Sequence, residues 1–211
     1  MIAGKRLGIY GGTFDPVHAG HLVAAAEVHH ALRLDQVVFM PAGQPPHKGG
    51  RAISDRAHRW AMLELAIAGR PQFVLSDLDF AGDAPAYTAD LLARVRAAWQ
   101  PGDDLYFIMG EDSLRDFPTW RDPERIAHLA RLAVVTRPRV EVDIASVVRA
   151  VPALAGRVAC VTIPELDIAS HDLRARVATG RPIAYQVPRA VEDYIVAHNL
   201  YRTPDRDKPD A

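Results

Sequence analysis

The residues best suited to chemistry lie near the start of the chain, where residues 11–22 read GGTFDPVHAGHL. The two glycines allow the backbone to approach a ligand closely, and a helical pattern begins near His18. His18 and His21 are three residues apart, so both side chains project from the same face of that helix. Because a helix N-terminus presents unpaired N–H groups and a partial positive charge, this segment predicts a binding site for phosphate.

Two common nucleotide-binding motifs are absent from the sequence around this turn. Residues 8–12 do not form GxGxxG, and the sequence contains no GxxxxGK followed by Ser or Thr. A zinc site would require further His, Cys or acidic ligands besides Asp15. We therefore predict a phosphate-binding turn of another kind, with no metal held by the protein itself.

Further candidate residues follow other apolar runs that predict strands. Residues 41–48, PAGQPPHK, form a loop stiffened by prolines that presents the cation Lys48. After the run 105–109, Asp112 is suited to bind ribose hydroxyls, and Trp120 is suited to stack on an aromatic ring. Structural alternatives remain open here: an ordinary surface loop for 41–48 and a core aromatic for Trp120.

Three predicted helices carry additional polar candidates. Ser170 is expected to cap a helix, with Arg174 one turn further along and facing a phosphate. Thr88 is a candidate cap for another helix. Asp55-Arg56 and Arg59 could add positive potential, although a solvated helix face is the better interpretation of most of them.

The elements that must position these residues alternate between short apolar runs and longer helical patterns. Near-continuous apolar strands are typical of parallel sheets covered by helices, and the alternation predicts an α/β fold with a doubly wound, mainly parallel sheet. In such folds ligands bind beyond the carboxyl ends of the strands. The predicted strands are 7–10, 37–40, 73–75, 105–109, 132–135 and 158–163, and the predicted helices are 18–32, 54–68, 88–99, one opening at Asp122-Pro123, 170–179 and 188–199.

Composition sets the broad class of the protein. The chain has 211 residues, 49% of them hydrophobic and 24% charged, with a net charge of −1, which argues against a protein that coats nucleic acid. The single cysteine, Cys160, is expected to be buried. With no apolar stretch near 18 residues and no signal peptide, we expect a cytoplasmic protein without a membrane partner. One domain is expected over 1–201, followed by a disordered tail over 202–211.

Several of these segments together resemble a known family. Residues 11–22 are similar to the T/H-x-G-H signature of the nucleotidyltransferase superfamily, with His18 and His21 as its two histidines. The flanking residues resemble bacterial nicotinate-nucleotide adenylyltransferases. Further similarities are PxxxPPHK at 41–48, YT at 87–88, GxDxxxxFxxW at 110–120, the segment 168–174, and the C-terminal part from 180 to 201. The segment 168–174 departs from the family pattern at Ala169 and His171.

The resemblance implies a Rossmann-like nucleotidyltransferase fold and a reaction in NAD biosynthesis. ATP would donate its adenylyl group to nicotinate mononucleotide, giving nicotinate adenine dinucleotide and pyrophosphate, with Mg²⁺ carried by ATP. The residues that this resemblance makes catalytic are His18, His21, Lys48 and Arg174. Those that it places on ATP are Gly11, Gly12, Thr13, Phe14, His18, His21, Gly110, Asp112, Ser170 and Arg174. Those that it places on the nicotinate nucleotide are Lys48, Tyr87, Thr88, Asp112 and Trp120.

Other functions remain open at this point. Nicotinamide mononucleotide, pantetheine phosphate and cytidylyl acceptors are alternatives within the superfamily. From a different class, the chain could be a nucleotide-binding regulator without catalysis. No nucleic-acid partner is expected, and a homo-oligomer is compatible with the sequence.

Overall fold

The computed structural model describes residues 4–43, 53–80, 87–100, 102–138 and 143–202. Within these ranges, six parallel strands form one sheet in the order β3-β2-β1-β4-β5-β6. The strands are β1 Arg6–Gly12, β2 Gln36–Pro41, β3 Phe73–Leu75, β4 Asp104–Gly110, β5 Arg131–Thr136 and β6 Val158–Thr162. The helices are α1 Ala19–Ala31, α2 Arg56–Ile67, α3 Thr88–Ala98, α4 Glu111–Asp116, α5 Pro123–Leu129, α6 Ile144–Ala150, α7 Ser170–Ala178 and α8 Arg189–Ala197.

Helices cover both faces of the sheet, which confirms the predicted doubly wound α/β fold. In β2, Val38 and Met40 pack into a core with α3, α4, α5 and α6, whereas Val37 and Phe39 pack on the opposite face with α1, α2, α7 and α8. Successive side chains of a strand point to opposite faces, so a strand buried on both sides needs a continuous apolar run. This requirement explains why β2 shows no alternation of polar and apolar residues.

Strand β1 lies at the centre of the sheet and fixes the position of the ligand crevice. It pairs with β2 on one side and with β4 on the other, so the order of connection reverses between β1 and β4. Ligands of doubly wound sheets bind at such a switch point, beyond the carboxyl ends of the strands. The turn that follows Gly12 and the segment that follows Gly110 both begin there.

The predicted elements are present, with ends shifted by one or two residues. Asp122 caps α5 as predicted, its carboxylate accepting a hydrogen bond from the Arg125 backbone N–H at 3.4 Å. Two helices, α4 and α6, were not predicted, because six or seven residues give too little periodicity. Three short 3₁₀ turns, at Leu78–Phe80, Phe117–Thr119 and Pro152–Leu154, were also not predicted.

The prediction that Cys160 is buried is wrong. Cys160 lies on β6, where it pairs with Val134 of β5, and its side chain is exposed. Its neighbour Val161, whose side chain points to the other face, is buried. Because β6 is the last strand of the sheet, its face on the Cys160 side is incompletely covered.

Two other expectations concern membrane-spanning segments and the C-terminal tail. Among the described residues, no helix combines the length and apolar character needed to cross a membrane. The expected tail, 202–211, lies outside the described residues except for Arg202.

Candidate active site

The turn after β1 places an aromatic ring beneath the two histidines. Phe14 has a positive φ of 49° and is buried, and its ring packs edge-on to that of His21 at 5.0 Å between centroids. A Cβ atom at Gly12 would lie 3.0 Å from the Phe14 ring, so glycine leaves room for this ring. The sequence motif therefore encodes a platform that supports His21.

The two histidines are in direct contact, as their spacing predicts. His18 is the N-cap residue of α1, and its ring stacks on that of His21 with 3.7 Å between centroids and 28° between planes. The backbone N–H of His18 donates to Nδ1 of His21 at 3.3 Å. Since Nδ1 is the acceptor, the proton of the neutral His21 ring resides on Nε2. His21 thus carries an N–H donor on its second ring nitrogen.

Burial decides the charge of both rings. Burial lowers the pKa of His18 to about 4. Burial, followed by the proximity of His18, lowers the pKa of His21 well below its ordinary value. Both imidazoles are therefore neutral at pH 7, so they can offer a ligand N–H donors but no positive charge.

This pKa predicts how stability depends on pH. In the unfolded chain His18 has an ordinary pKa near 6.5, so between pH 6.5 and 4 the unfolded state binds more protons than the folded state. The free energy of unfolding should fall over this window, by up to about 3 kcal/mol from His18. Urea denaturation at several pH values measures the slope, and His18→Asn should flatten it. An identical slope in both proteins would contradict the prediction.

Helix α7 is fastened to the same turn. Arg174 donates from Nη1 to the carbonyl of Asp15 at 2.6 Å, and the Ser170 hydroxyl donates to the carbonyl of Pro16 at 2.9 Å. The expectation that Ser170 caps α7 is wrong: the N-cap residue is Ala169, and the Ser170 hydroxyl binds the turn instead. Both residues therefore lie against the turn that carries the histidines.

The Asp15 carboxylate joins the turn to two distant segments. It is buried and accepts hydrogen bonds from the Tyr201 hydroxyl at 2.6 Å and from the Ser54 backbone N–H at 3.1 Å. Burial, and then the Asp15 carboxylate, raise the pKa of Tyr201, which keeps the phenol protonated as a donor. Sequence reasoning missed Tyr201 because its partner is 186 residues away.

A cleft of about 210 Å³ opens beside the histidines at the carboxyl edge of the sheet. The predicted residues His18, His21, Gly110 and Asp112 line it. Its other lining residues are Tyr10, Gly20, Ala24, Glu111, Val135, Arg137, Ile163, Leu166 and Ile168. Most of these were missed because they are ordinary core or surface types whose role depends on neighbouring strand ends.

The acidic residues of the cleft differ in exposure and partner. Asp112 is exposed and forms an ion pair with Arg115 at 2.9 Å, which is a weak surface contact. Glu111 is less exposed and accepts from the backbone N–H of Arg137 at 3.3 Å. Asp112 can therefore turn toward a ligand at small cost, whereas Glu111 is held between β4 and β5.

Two of the segments expected on the nicotinate nucleotide, at Tyr87 and at Trp120, meet in the structure. Trp120 is half-buried, with its ring 5.5 Å from that of Phe117. Its neighbour Arg121 places its guanidinium carbon 4.3 Å from the centroid of the Tyr87 ring, which brings the Tyr87 and Trp120 segments together. Thr88 does not cap α3, because Tyr87 is the N-cap residue and no side-chain cap bond forms. The predicted loop residue Lys48 lies outside the described residues.

Arg59 does not belong to a solvated helix face, which was the preferred interpretation for most of this group. Arg59 is 2% exposed and donates hydrogen bonds to three backbone carbonyls. Arg59 precedes the apolar residues Met62 and Leu63, which are buried, by three and four residues. This helical spacing was the signal in the sequence that Arg59 lies on the buried face of α2. Arg56, by contrast, is exposed as expected.

The described part of the protein also contains another cavity, and it lacks a metal-binding cluster of side chains. A larger cavity of about 590 Å³ lies at the opposite edge of the sheet, near Lys5, Gln36 and Trp99, remote from the histidine pair. In the described ranges no three His, Cys, Asp or Glu side chains converge on a point where a metal ion would be held.

Comparisons with known proteins agree with this arrangement. The model of the cytidylyltransferase-like family matches residues 9–176. A probable nicotinate-nucleotide adenylyltransferase of Thermomicrobium roseum is 52% identical over 205 residues, which cover 97% of this chain and 95% of that protein. One of Streptomyces coelicolor is 45% identical over 91% of this chain and 98% of that protein. The structure of Plasmodium falciparum nicotinic acid mononucleotide adenylyltransferase complexed with NaAD has a similar fold, with a TM-score of 0.77, 22% identity, and coverage of 93% of this chain and 97% of that one.

Proposed function

Because the chain belongs to the cytidylyltransferase-like family, and within it to the nicotinate-nucleotide adenylyltransferases, we propose that it transfers the adenylyl group of ATP to nicotinate mononucleotide. The products are nicotinate adenine dinucleotide and pyrophosphate. The observation that carries the proposal is the stacked pair of neutral imidazoles, His18 and His21, at the start of α1 and at the switch point of the sheet.

The reaction brings two anions together. A phosphate oxygen of nicotinate mononucleotide attacks the α-phosphorus of ATP, and the bond from that phosphorus to the bridging oxygen breaks, so pyrophosphate leaves with the electron pair. A phosphate monoester has its second pKa near ~6, so at pH 7 the nucleophile is ionised and requires no general base. The protein's task is to align the reactants and to place donors on the charged oxygens of the transition state.

The donors around the turn suit this task. The Nε2–H of His21 is assigned to an α-phosphate oxygen, and His18 lies beside it on the triphosphate. Arg174 is assigned to the leaving pyrophosphate; a guanidinium carries five N–H donors, and the bond to the Asp15 carbonyl uses one of them. Lys48 is proposed for the same charge-neutralising role. Mg²⁺ accompanies ATP, bound by phosphate oxygens and water.

The choice of acceptor is tested by comparing the candidate substrates in parallel assays. Pyrophosphate release is measured with ATP and, separately, nicotinate mononucleotide, nicotinamide mononucleotide and pantetheine phosphate, and the dinucleotide product is identified by mass. We expect the highest kcat/KM with nicotinate mononucleotide. Nucleotide binding without pyrophosphate release for any acceptor would instead support a non-catalytic regulator.

Trp120 provides a more local prediction. Stacking of a ring on an aromatic side chain contributes about 1–3 kcal/mol, so Trp120→Ala should raise the KM for nicotinate mononucleotide roughly 10- to 100-fold. The KM for ATP should change far less, because the histidines and Arg174 bind the triphosphate. Trp120→Phe, which keeps a ring, should retain most of the affinity. Since Trp120 also packs on Phe117, thermal unfolding is measured in parallel; equal changes in both KM values would contradict stacking on the acceptor.

A further inference from the structure

Arg59 joins three separate segments through a single side chain. Its Nε donates to the Ser54 carbonyl at 3.0 Å, Nη1 to the Thr13 carbonyl at 3.1 Å, and Nη2 to the Gly43 carbonyl at 3.4 Å. Thr13 belongs to the histidine turn after β1. Gly43 follows β2, and Ser54 precedes α2, so these two residues flank the segment 44–52.

Burial of the positively charged Arg59 side chain at this position is energetically unfavourable in itself. Arg59 lies on the face of α2 that packs Met62 and Leu63 into the core, where an apolar side chain would be expected. Burying a charge is unfavourable unless hydrogen bonds and nearby opposite charge compensate it. Here the three carbonyls and the electrostatic attraction of Asp15 supply that compensation. The planar fork of arginine is suited to holding several acceptors in fixed relative positions.

In both Ser54 and Gly43, the backbone N–H and the backbone carbonyl each form a hydrogen bond to a side chain. The Ser54 N–H donates to the Asp15 carboxylate while its carbonyl accepts from Arg59. The Gly43 N–H donates to the half-buried Asp79 carboxylate, while its carbonyl accepts from Arg59. A Cβ atom at Gly43 would lie 2.6 Å from the Asp79 carbonyl oxygen, so this close approach requires glycine.

We propose that Arg59 is a positioning residue that fixes Gly43, after β2, and Ser54, before α2, relative to the histidine turn at Thr13, and thereby aligns the acceptor with ATP. The inference rests on the proposed function, in which the acceptor must meet the ATP that this turn holds. Arg59 touches neither substrate and acts through the carbonyls of Thr13, Gly43 and Ser54. Displacement of bound groups by about 1 Å can lower turnover on the order of 100-fold, so a positioning residue can have a large effect.

The test separates positioning from positive potential and from stability. Arg59→Lys keeps the charge but loses the planar fork, and Arg59→Met loses both. Arg56→Met, on the exposed side of the same helix, is the matched control. The kcat and both KM values are measured together with backbone hydrogen exchange of the peptide around residues 41–55.

For both Arg59 variants we expect faster exchange around residues 41–55, unchanged exchange in β4, and a fall of roughly tenfold or more in kcat, together with a higher KM for nicotinate mononucleotide. The KM for ATP should stay within roughly threefold of the wild-type value, and Arg56→Met should behave as wild type. Full recovery of activity and exchange in Arg59→Lys would show that charge suffices and would overturn the proposal. Equal changes in both KM values would likewise overturn it.

A second variant covers the case in which Arg59→Met does not fold. Gly43→Ala displaces one of the three anchor points while leaving Arg59 in place, and it should produce the same selective change in KM and exchange. Unchanged exchange around residues 41–55 in both Gly43→Ala and Arg59→Lys would refute the positioning role even without an activity assay. Failure of the wild-type protein to release pyrophosphate would refute the proposed function instead, so the two failures are distinguishable.

Discussion

Replacing His21 with alanine is expected to lower kcat by ~10²–10³-fold while the protein stays folded. Removing one donor from a charged transition state has an effect of this size. The structure specifies the donor: the His18 backbone N–H occupies Nδ1, which leaves the N–H on Nε2 as the one that His21 can offer to a ligand. Because the proposed contact would strengthen as charge develops on the α-phosphate, kcat should fall much more than the KM for ATP rises.

Two variants control this experiment. His21→Gln retains an amide N–H at a similar reach and should keep an intermediate rate, whereas His128→Ala removes an exposed histidine elsewhere and should leave kcat unchanged. Steady-state pyrophosphate release and circular dichroism are measured for each. A near-normal kcat in His21→Ala would remove His21 from the mechanism.

Asp15→Ala should destabilise the protein by about 2–5 kcal/mol, the second large effect. The substitution leaves the Ser54 N–H and the Tyr201 hydroxyl without their acceptor and removes the negative charge that acts most strongly on buried Arg59. Unpaired buried donors and an uncompensated buried cation both lower the free energy of unfolding. Urea denaturation, analysed for the midpoint and the slope, gives the change.

A double-mutant cycle tests whether these bonds act as a unit. Tyr201→Phe alone should cost about 1–2 kcal/mol, since it removes one hydrogen bond to a buried carboxylate. Adding it to Asp15→Ala should cost little more, because the partner is already absent. Strictly additive losses in the double mutant would show that the Asp15–Tyr201 hydrogen bond does not contribute to stability.

Much of the fold could be predicted because its signals are local. Apolar runs such as residues 37–40 mark strands buried on both faces, and helical spacing marks the helices between them. The contact between His18 and His21 also follows from local geometry, since residues three apart on a helix are neighbours. The order of the strands is a different matter: nothing near Cys160 shows that β6 is the last strand, so its exposure could not be predicted.

The remainder of the site depends on long-range partners. Tyr201 and Arg174 reach Asp15 across 186 and 159 residues, and no local pattern encodes such a pairing. The charge of Arg59 suggested solvent, while its spacing from Met62 suggested the core, and only the three surrounding carbonyls resolve that conflict. The pKa of His18 likewise depends on how tightly the folded chain excludes water from the ring.

The hydrogen bond from Tyr201 to Asp15 bears on how the enzyme matures during translation. The turn that carries the histidines leaves the ribosome early, but its acceptor meets this donor only after 186 further residues have been added. Closing so long a loop is entropically unfavourable and must follow assembly of the sheet. We therefore expect the histidine turn to reach its fully bonded form only after synthesis has passed Tyr201.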